Sequence, residues 1–167
     1  GWDVIRLANK IYEKGWPIKY RVAGPCQDIK LNQALRDAQE RGVLEWVGPV
    51  FDDEKRNFLR SLDVFIFPSQ NEAEPLVVWE ALLSEIPVIA YDRGCVSAQV
   101  GEAGKIIPAE DDFSEAAVKL LEAWIAEPKV YQQCVRSANE KREIVVELAE
   151  KQWRDYTLIL ESGLASK

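Results

Sequence analysis

Short apolar runs alternate with segments of helical periodicity along most of the chain. Apolar spacing predicts helices over 3–14, 28–41, 52–61 and 75–83, and a short one within 94–100, and the first three of these have Asp3, Asp28 and Asp52 as predicted caps. Apolar runs predict strands over 18–23, 43–47, 63–67, 88–91 and 105–107. The run 63–67 holds four consecutive apolar residues, which is typical of a strand covered on both faces. We therefore expect an α/β fold, a Rossmann-like open parallel sheet with helices on both faces.

The last third of the chain has a helical pattern without strands. Asp112, with Glu115 three residues later, resembles a capping box that opens a helix to about 126. After Pro128 the pattern predicts two further helices, over 129–141 and 143–161, and a frayed tail from Gly163. Because the apolar positions of 142–162 are irregular, we expect this segment to pack on a surface outside the domain.

Residues 68–83 combine a helix start with two carboxylates. Pro75 suits the first position of a helix, where its missing N–H costs nothing. From 76 to 83 every residue except Glu80 is apolar, so this helix should be buried on most of its faces. A carboxylate in such a helix needs a partner. The second carboxylate, Glu72, lies in the preceding loop, and this arrangement indicates a binding site.

Composition narrows the classes of function. The net charge of −7 argues against a nucleic-acid-binding face, and the absence of histidine excludes Ser-His-Asp and Cys-His nucleophiles and most zinc sites. Three cysteines with no C-x-x-C spacing indicate buried free thiols in a reducing compartment. No apolar run reaches the ~20 residues of a membrane span. We expect a cytoplasmic protein, with peripheral membrane contact if its acceptor is lipid-linked.

Three turns lie where a parallel sheet binds ligands, beyond the carboxyl ends of its strands: Gly24-Pro25, Gly48–Val50 and 68–74. The N–H groups of Leu76 and Val77, at the positive end of a helix dipole, are suited to an anion such as a diphosphate. Glu80 lies five residues beyond Pro75, roughly 7.5 Å along the helix axis. Its carboxylate could accept hydrogen bonds from two vicinal hydroxyls, while Glu72 would reach the other side of the phosphate.

The run from Asp63 to Ser69, the pair Glu72 and Glu80, and Pro87–Ala90 together resemble the donor-binding half of group 1, or family 4, retaining glycosyltransferases. The resemblance implies the C-terminal half of a two-domain GT-B fold, covering nearly all of residues 1–167 as one domain. We expect the chain to be an excerpt that starts just after the first strand of this half. The missing N-terminal domain would hold a sugar or lipid-linked acceptor.

By position, the resemblance implies a role for each site residue. Glu80 would hold the nucleotide ribose, the amides of Leu76 and Val77 the diphosphate, and Val50 the base. Gly24 and Ser69 would belong to the same donor site, and Glu72 would be catalytic, binding the donor sugar and stabilising positive charge at its anomeric carbon. The resemblance implies no cofactor and no metal ion: a nucleoside diphosphate sugar is the donor, and basic side chains neutralise the leaving diphosphate.

Several residues depart from the family pattern. Ala73 and Glu74 stand where Gly and an aromatic or aliphatic residue are usual, and Glu85 replaces a Gly at a position that often needs φ > 0. Cys95 and Ala98 stand where Gly and Glu are common. The family's Arg and Lys would lie ahead of Gly1, outside this chain. These departures leave open a non-catalytic GT-B-like domain that binds a ligand or partner.

Two further alternatives fit less well. A dinucleotide-dependent oxidoreductase is disfavoured because the turn after Ala23 reads Gly-Pro-Cys rather than G-x-G-x-x-G. A regulatory domain of receiver type is disfavoured because no acidic cluster follows its first strand.

Overall fold

A computed structural model describes residues 1–164 of the chain, with side chains described through Lys151 and at Arg154. Strands and helices alternate over the first two thirds, as the sequence predicts. The helices are α1 Trp2–Glu13, α2 Ile29–Glu40, α3 Asp52–Arg60, α4 Leu76–Leu83, α5 Val96–Val100, α6 Phe113–Ala126 and α7 Pro128–Leu164; the strands are β1 Arg21–Ala23, β2 Glu45–Gly48, β3 Phe65–Phe67, β4 Val88–Tyr91 and β5 Gly104–Ile107.

All strand pairs are parallel, and the strands form two groups. β1 pairs with β2, and β3, β4 and β5 pair in that order. Helices cover both faces: Ile89 and Tyr91 of β4 pack in the core beneath α1 and α6, while Val88 and Ala90 pack beneath α4 and α5. This alternation follows from the period of two along a strand. The predicted fold class is therefore confirmed.

Two of the four proposed helix caps are present. Asp28 accepts a hydrogen bond from the Leu31 N–H at 2.8 Å, and Asp112 accepts one from the Glu115 N–H at 3.0 Å. Asp3 lies inside α1 rather than at its cap, buried and paired with Arg6 at 2.5 Å.

The starts of α3 and α4 each lie one residue from the predicted position. Asp52 is the first residue of α3, not its cap, and Pro75 is the N-cap of α4 rather than its first helical residue. Pro75 can take the cap position because its extended backbone, φ −74° and ψ 117°, suits a residue outside the helix.

The carboxyl-terminal region differs from the prediction of two helices. α7 runs without a break from Pro128 to Leu164, because Lys141, Arg142 and Glu143 are good helix formers and no Gly or Pro interrupts them. Gly163 lies in this helix, and the rest of the predicted tail, 165–167, lies outside the described residues. Within the described part of the chain, no helix combines the length and apolarity needed to cross a membrane.

The three cysteines are free thiols, as predicted, but they are not all buried. Cys134 is buried, Cys26 is partly buried and Cys95 is exposed. The exposed position of Cys95 corrects the expectation of three buried thiols. It follows from the location of Cys95 in the turn after β4 rather than in a strand or in the interior of a helix.

Candidate functional site

The turns after β1 and β2 meet at the carboxyl edge of their sheet. The N–H of Gly24 donates to the carbonyl oxygen of Gly48 at 2.8 Å, and the indole N–H of Trp46 donates to the carbonyl of Gly24 at 3.1 Å. Both glycines have positive φ, 123° and 75°, which side chains disfavour. These two turns therefore form one backbone surface at the edge where a ligand is expected.

A cavity of about 1150 Å³ reaches this edge, and Gly24, Val50 and Val77 line it together with Lys55. Three of the predicted site residues thus share one cavity although they are distant in sequence. Ser69, Glu72 and Leu76 are not among its lining residues. The functional roles proposed for all six of these residues stay predictions.

The start of α4 is open to a ligand. Its first backbone bond within the helix comes from the Val78 N–H to the Pro75 carbonyl at 3.2 Å, and no side chain caps the helix among the described residues. The N–H groups of Leu76 and Val77 precede that bond, so they remain available at the positive end of the helix dipole. Leu76 is 73% exposed, contrary to the expectation of a mostly buried helix, because this first turn faces solvent.

A buried side chain supports the same helix start from behind. The side-chain amide of Gln99 in α5 donates to the Pro75 carbonyl at 3.4 Å, and Gln99 is 3% exposed. The contact ties the N-cap of α4 to the neighbouring helix. The direction of the N–H groups on Leu76 and Val77 is therefore fixed by packing as well as by the helix itself.

Glu80 has the partner that its apolar helix requires. Lys55 Nζ lies 2.6 Å from Glu80 Oε1, and each of the two side chains is just over one-third exposed. The second oxygen, Glu80 Oε2, is buried and has no hydrogen-bond partner among the described residues. An unpartnered buried acceptor costs about 1–3 kcal/mol, so a hydroxyl donor from a ligand would remove a real penalty.

Lys55 is the site residue that sequence reasoning missed. Two signals could have identified it: the apolar helix around Glu80 required a cation, and Lys55 is the first basic residue after the carboxyl end of β2. It lies in the first turns of α3, whose start is at the same sheet edge as α4. Only the fold shows that the two helices bring these charges together.

The loop that carries Glu72 rests on the turn after β4. The Cys95 N–H donates to the Ala73 carbonyl at 2.8 Å. A Cβ on Gly94 would lie 2.3 Å from the Ala73 carbonyl oxygen and 2.4 Å from that of Glu72, distances that no side chain tolerates. Gly94 therefore allows the two loops to touch. Glu72 is partly buried in this arrangement, whereas Glu74 is exposed.

Glu85 occupies the strained conformation that the sequence predicts for this position. Its φ is +66°, in the region that favours glycine, and its carboxylate lies 3.2 Å from Arg142 of α7. The left-handed conformation costs a non-glycine residue about 1–2 kcal/mol. The exposed ion pair to α7 offsets less than that cost.

The site combines the backbone N–H groups and the Glu80 carboxylate of α4 with the ammonium group of Lys55 in α3. The donors suit an anion, and the carboxylate suits neutral hydroxyl groups. Within the described residues, no three His, Cys, Asp or Glu side chains cluster as metal ligands do. This arrangement suits a polar ligand whose anionic centre accepts hydrogen bonds from the backbone and whose hydroxyl groups donate to the carboxylate.

Comparisons with known proteins all lead to glycosyltransferases. The model of the family "Glycosyl transferases group 1" matches residues 3–123. The putative teichuronic acid biosynthesis glycosyltransferase TuaC of Bacillus subtilis (strain 168) is 42% identical over 86 residues, which are 50% of this chain and 22% of that protein. The chain thus spans only a small part of the length of this curated relative.

Solved structures show the same fold at low sequence identity. Sucrose-phosphate synthase from Thermosynechococcus elongatus has a TM-score of 0.69 and 19% identity, covering 96% of this chain and 43% of that one. The pneumococcal O-GlcNAc transferase GtfA, solved in complex with UDP and GlcNAc, has a TM-score of 0.61 and 18% identity, covering 87% of this chain and 32% of that one.

Proposed function

Since the chain belongs to the group 1 glycosyltransferases, we propose that it is the donor-binding domain of a longer, retaining family 4 enzyme that uses a nucleoside diphosphate sugar. One observation carries the proposal: the unbonded N–H groups that open α4 lie in the same helix as Glu80, whose carboxylate has one oxygen without a partner. Leu76 and Glu80 are four residues apart, so the N–H groups and the carboxylate are separated by roughly 6 Å or less along the helix axis.

In this proposal, each part of the donor meets a different chemical group. The diphosphate accepts hydrogen bonds from the N–H groups of Leu76 and Val77, and the ribose hydroxyls donate to Glu80. The backbone around Gly24 and Val50 contacts the base. GtfA, solved with UDP, supports the choice of this ligand class.

Lys55 has a positioning role in this account. Its ammonium group, 2.6 Å from Glu80 Oε1, holds the carboxylate while the other oxygen awaits a hydroxyl. It also adds positive charge to a site that receives a diphosphate, where the chain has an overall charge of −7. The ion pair is thus a preorganised part of the ribose site.

In the proposed reaction, Glu72 and Ser69 lie on the sugar side of the diphosphate. The bond between the anomeric carbon and the diphosphate oxygen breaks, an acceptor hydroxyl oxygen bonds to the same face of the sugar, and the hydroxyl proton passes to the departing diphosphate. Glu72 binds donor hydroxyls and stabilises the positive charge that develops on the anomeric carbon. We propose a hexosyl donor, neutralisation of the leaving group by basic side chains rather than a metal ion, and an acceptor held by another domain.

Titration calorimetry of the full-length protein with UDP-hexoses and other nucleoside diphosphate hexoses tests the donor site. Glu80→Ala should weaken the donor that binds best at least about tenfold, or ~1.4 kcal/mol. The control Glu102→Ala removes an exposed carboxylate outside the site and should leave affinity unchanged. Equal affinity of parent and Glu80→Ala would contradict the role given to Glu80. The 167-residue chain alone should transfer no sugar.

A second candidate function is a binding domain without transferase activity, and Glu74 favours it. Its exposed carboxylate lies two residues before the first N–H groups of α4, where it opposes a diphosphate. An Arg and a Lys about five residues apart, just ahead of Gly1 in the longer protein, would favour the enzyme. The absence of both residues from that stretch would favour the binding domain. Glu74→Gln should tighten nucleotide binding in either case.

A further inference from the structure

Phe51 is a large aromatic side chain that lies open at the candidate site. It is the N-cap residue of α3 and is 68% exposed, and it lines the same cavity as Val50 and Lys55. The next aromatic residue of α3, Phe58, is partly buried and lies beneath the guanidinium of Arg21 at 5.0 Å. A single exposed apolar side chain is common on protein surfaces and indicates nothing by itself. The position of the Phe51 ring therefore matters more than its exposure.

Phe51 lies one helical turn before Lys55. The Lys55 N–H donates to the Phe51 carbonyl oxygen at 3.1 Å, and four residues correspond to roughly 6 Å along the helix axis. Leu76 precedes Glu80 by the same four residues in α4. Both helices contribute to one core cluster. The ion pair therefore joins two helices whose starts, one turn away, carry Phe51 on α3 and the open N–H groups on α4.

A nucleoside diphosphate matches this arrangement. In ribose, the two vicinal hydroxyls lie on one edge of the ring, while the base and the phosphate arm leave the ring from opposite sides. With the hydroxyls on the unpartnered Oε2 of Glu80 and the diphosphate at the start of α4, the base leaves on the side away from the diphosphate. That side is α3, because Lys55 reaches Glu80 from there. The base therefore points toward the helix start that carries Phe51.

The backbone beside Phe51 leaves room for a flat ring. A Cβ added to Gly24 or to Gly48 would meet no heavy atom within 4 Å apart from its chain neighbours, so the space in front of both turns is open. Val50 and Phe51 follow the second of these turns closely. Phe51 has an extended backbone, φ −134° and ψ 160°, just outside α3. Its ring thus stands beside an uncrowded surface on which a second ring can be placed.

We propose that the base of the donor stacks on Phe51 and that this contact biases the site toward purine nucleotides. The inference rests on the proposed function and adds to it a side chain that selects the class of donor. Aromatic stacking recognises any base by its flat face. Its strength grows with the apolar area that is covered, so a purine with two rings gains more from Phe51 than a pyrimidine with one.

Titration calorimetry of the full-length protein tests the stacking. GDP, ADP, UDP and CDP are compared in the parent, in Phe51→Ala and in Phe51→Trp, which enlarges the ring. Tyr12→Ala is the matched control, because Tyr12 is an aromatic residue that is 57% exposed in the last turn of α1, away from the starts of α3 and α4. Glu80→Ala reports on the donor site itself. Thermal unfolding of Phe51→Ala checks the fold, and its midpoint should equal that of the parent because the ring is exposed.

Phe51→Ala should weaken the purine nucleotide that binds best at least about fivefold, and the best pyrimidine nucleotide by no more than about half that factor. Phe51→Trp should keep or increase the preference for purines, and Tyr12→Ala should change no affinity. If Phe51→Ala binds like the parent while Glu80→Ala binds more weakly, the stacking is overturned and the donor site stands. Equal losses for both classes of base, or a parent that binds only pyrimidine nucleotides, would also overturn it. A parent that binds none of the four would overturn the proposed function and this inference together.

Discussion

The ion pair between Lys55 and Glu80 predicts a measurable coupling energy. Lys55→Met and Glu80→Gln each remove one charge while keeping the shape of the side chain, and the double variant removes both. The parent, the two single variants and the double variant form a double-mutant cycle. The cycle isolates the interaction between the two groups, which lie 2.6 Å apart in the structure.

The exposure of the pair sets the expected magnitude. At 2.6 Å the Coulomb energy of two unit charges in water is about 1.6 kcal/mol. Lys55 and Glu80 are 37% and 36% exposed, so solvent screening and side-chain entropy reduce the net value. We expect a coupling of about 0.5–1 kcal/mol, well below the ~3–5 kcal/mol lost when a fully buried pair is broken.

Urea unfolding of the four proteins measures the coupling. The pair Lys14–Glu122 is the matched control, since Lys14 is 37% exposed like Lys55 but its partner is 57% exposed and 3.2 Å away. The control cycle should give a smaller coupling, about 0.3 kcal/mol or less. A coupling near zero for Lys55 and Glu80, equal to the control, would refute the ion pair as a preorganised part of the site.

Three further predictions concern the backbone and the caps. Glu85→Gly should stabilise the fold by about 0.5–1 kcal/mol in urea unfolding by relieving φ +66°, whereas Glu127→Gly, after α6 with φ −130°, should not stabilise it. Gly94→Ala should cost about 2 kcal/mol, because its Cβ meets the Ala73 carbonyl and its φ is +54°; a loss under ~0.5 kcal/mol would contradict the loop contact. Hydrogen bonds from Ser114 and the Glu115 N–H lower the pKa of Asp112 below its usual value near 3.8, so its stabilisation is present above that value and is lost as the pH falls below it. Asp112→Ala should therefore cost about 1 kcal/mol at pH ~6 and less at pH ~2.5 in urea unfolding; an equal cost at both would refute the sign.

Local chemistry made the parallel α/β fold and several details predictable. The caps at Asp28 and Asp112 depend on residues three positions apart, and the positive φ of Glu85 depends on its place after a helix. These features are decided within one or two turns of chain. The same holds for the open N–H groups at the start of α4, which follow from the helix boundary.

The missed features depend on contacts between distant segments. The pairing of Lys55 with Glu80 joins two helices that are separated by a strand, and sequence spacing alone does not predict it. The contact of Gly94 with the Glu72 loop is of the same kind. The prediction that 63–67 is covered on both faces is wrong in part: Phe65, Ile66 and Phe67 are only partly buried because they line the cavity, and no local pattern reports that open space. The break predicted near 142 was wrong because an irregular apolar pattern does not end a helix without Gly or Pro.

The predicted docking of 142–162 on another domain stays a prediction. Ile144 and Leu148 of α7 are exposed, at 57% and 54%, which leaves apolar surface on this part of the helix. The side chains of Trp153, Leu158 and Ile159 lie outside the described residues. The structure of the longer protein would test the docking directly.

The central claim is that a nucleoside diphosphate binds at the start of α4. Its most direct test is an NMR titration of the protein with UDP, GDP, ADP, CDP and dTDP, following the backbone amides of Leu76 and Val77. At least one nucleotide should shift both amides strongly in the parent, and Glu80→Ala should require about tenfold more of it for the same shift. The donor site would be contradicted if none of the five nucleotides shifted the signals of these two amides. It would also be contradicted if the parent and Glu80→Ala needed the same nucleotide concentration for the same shift.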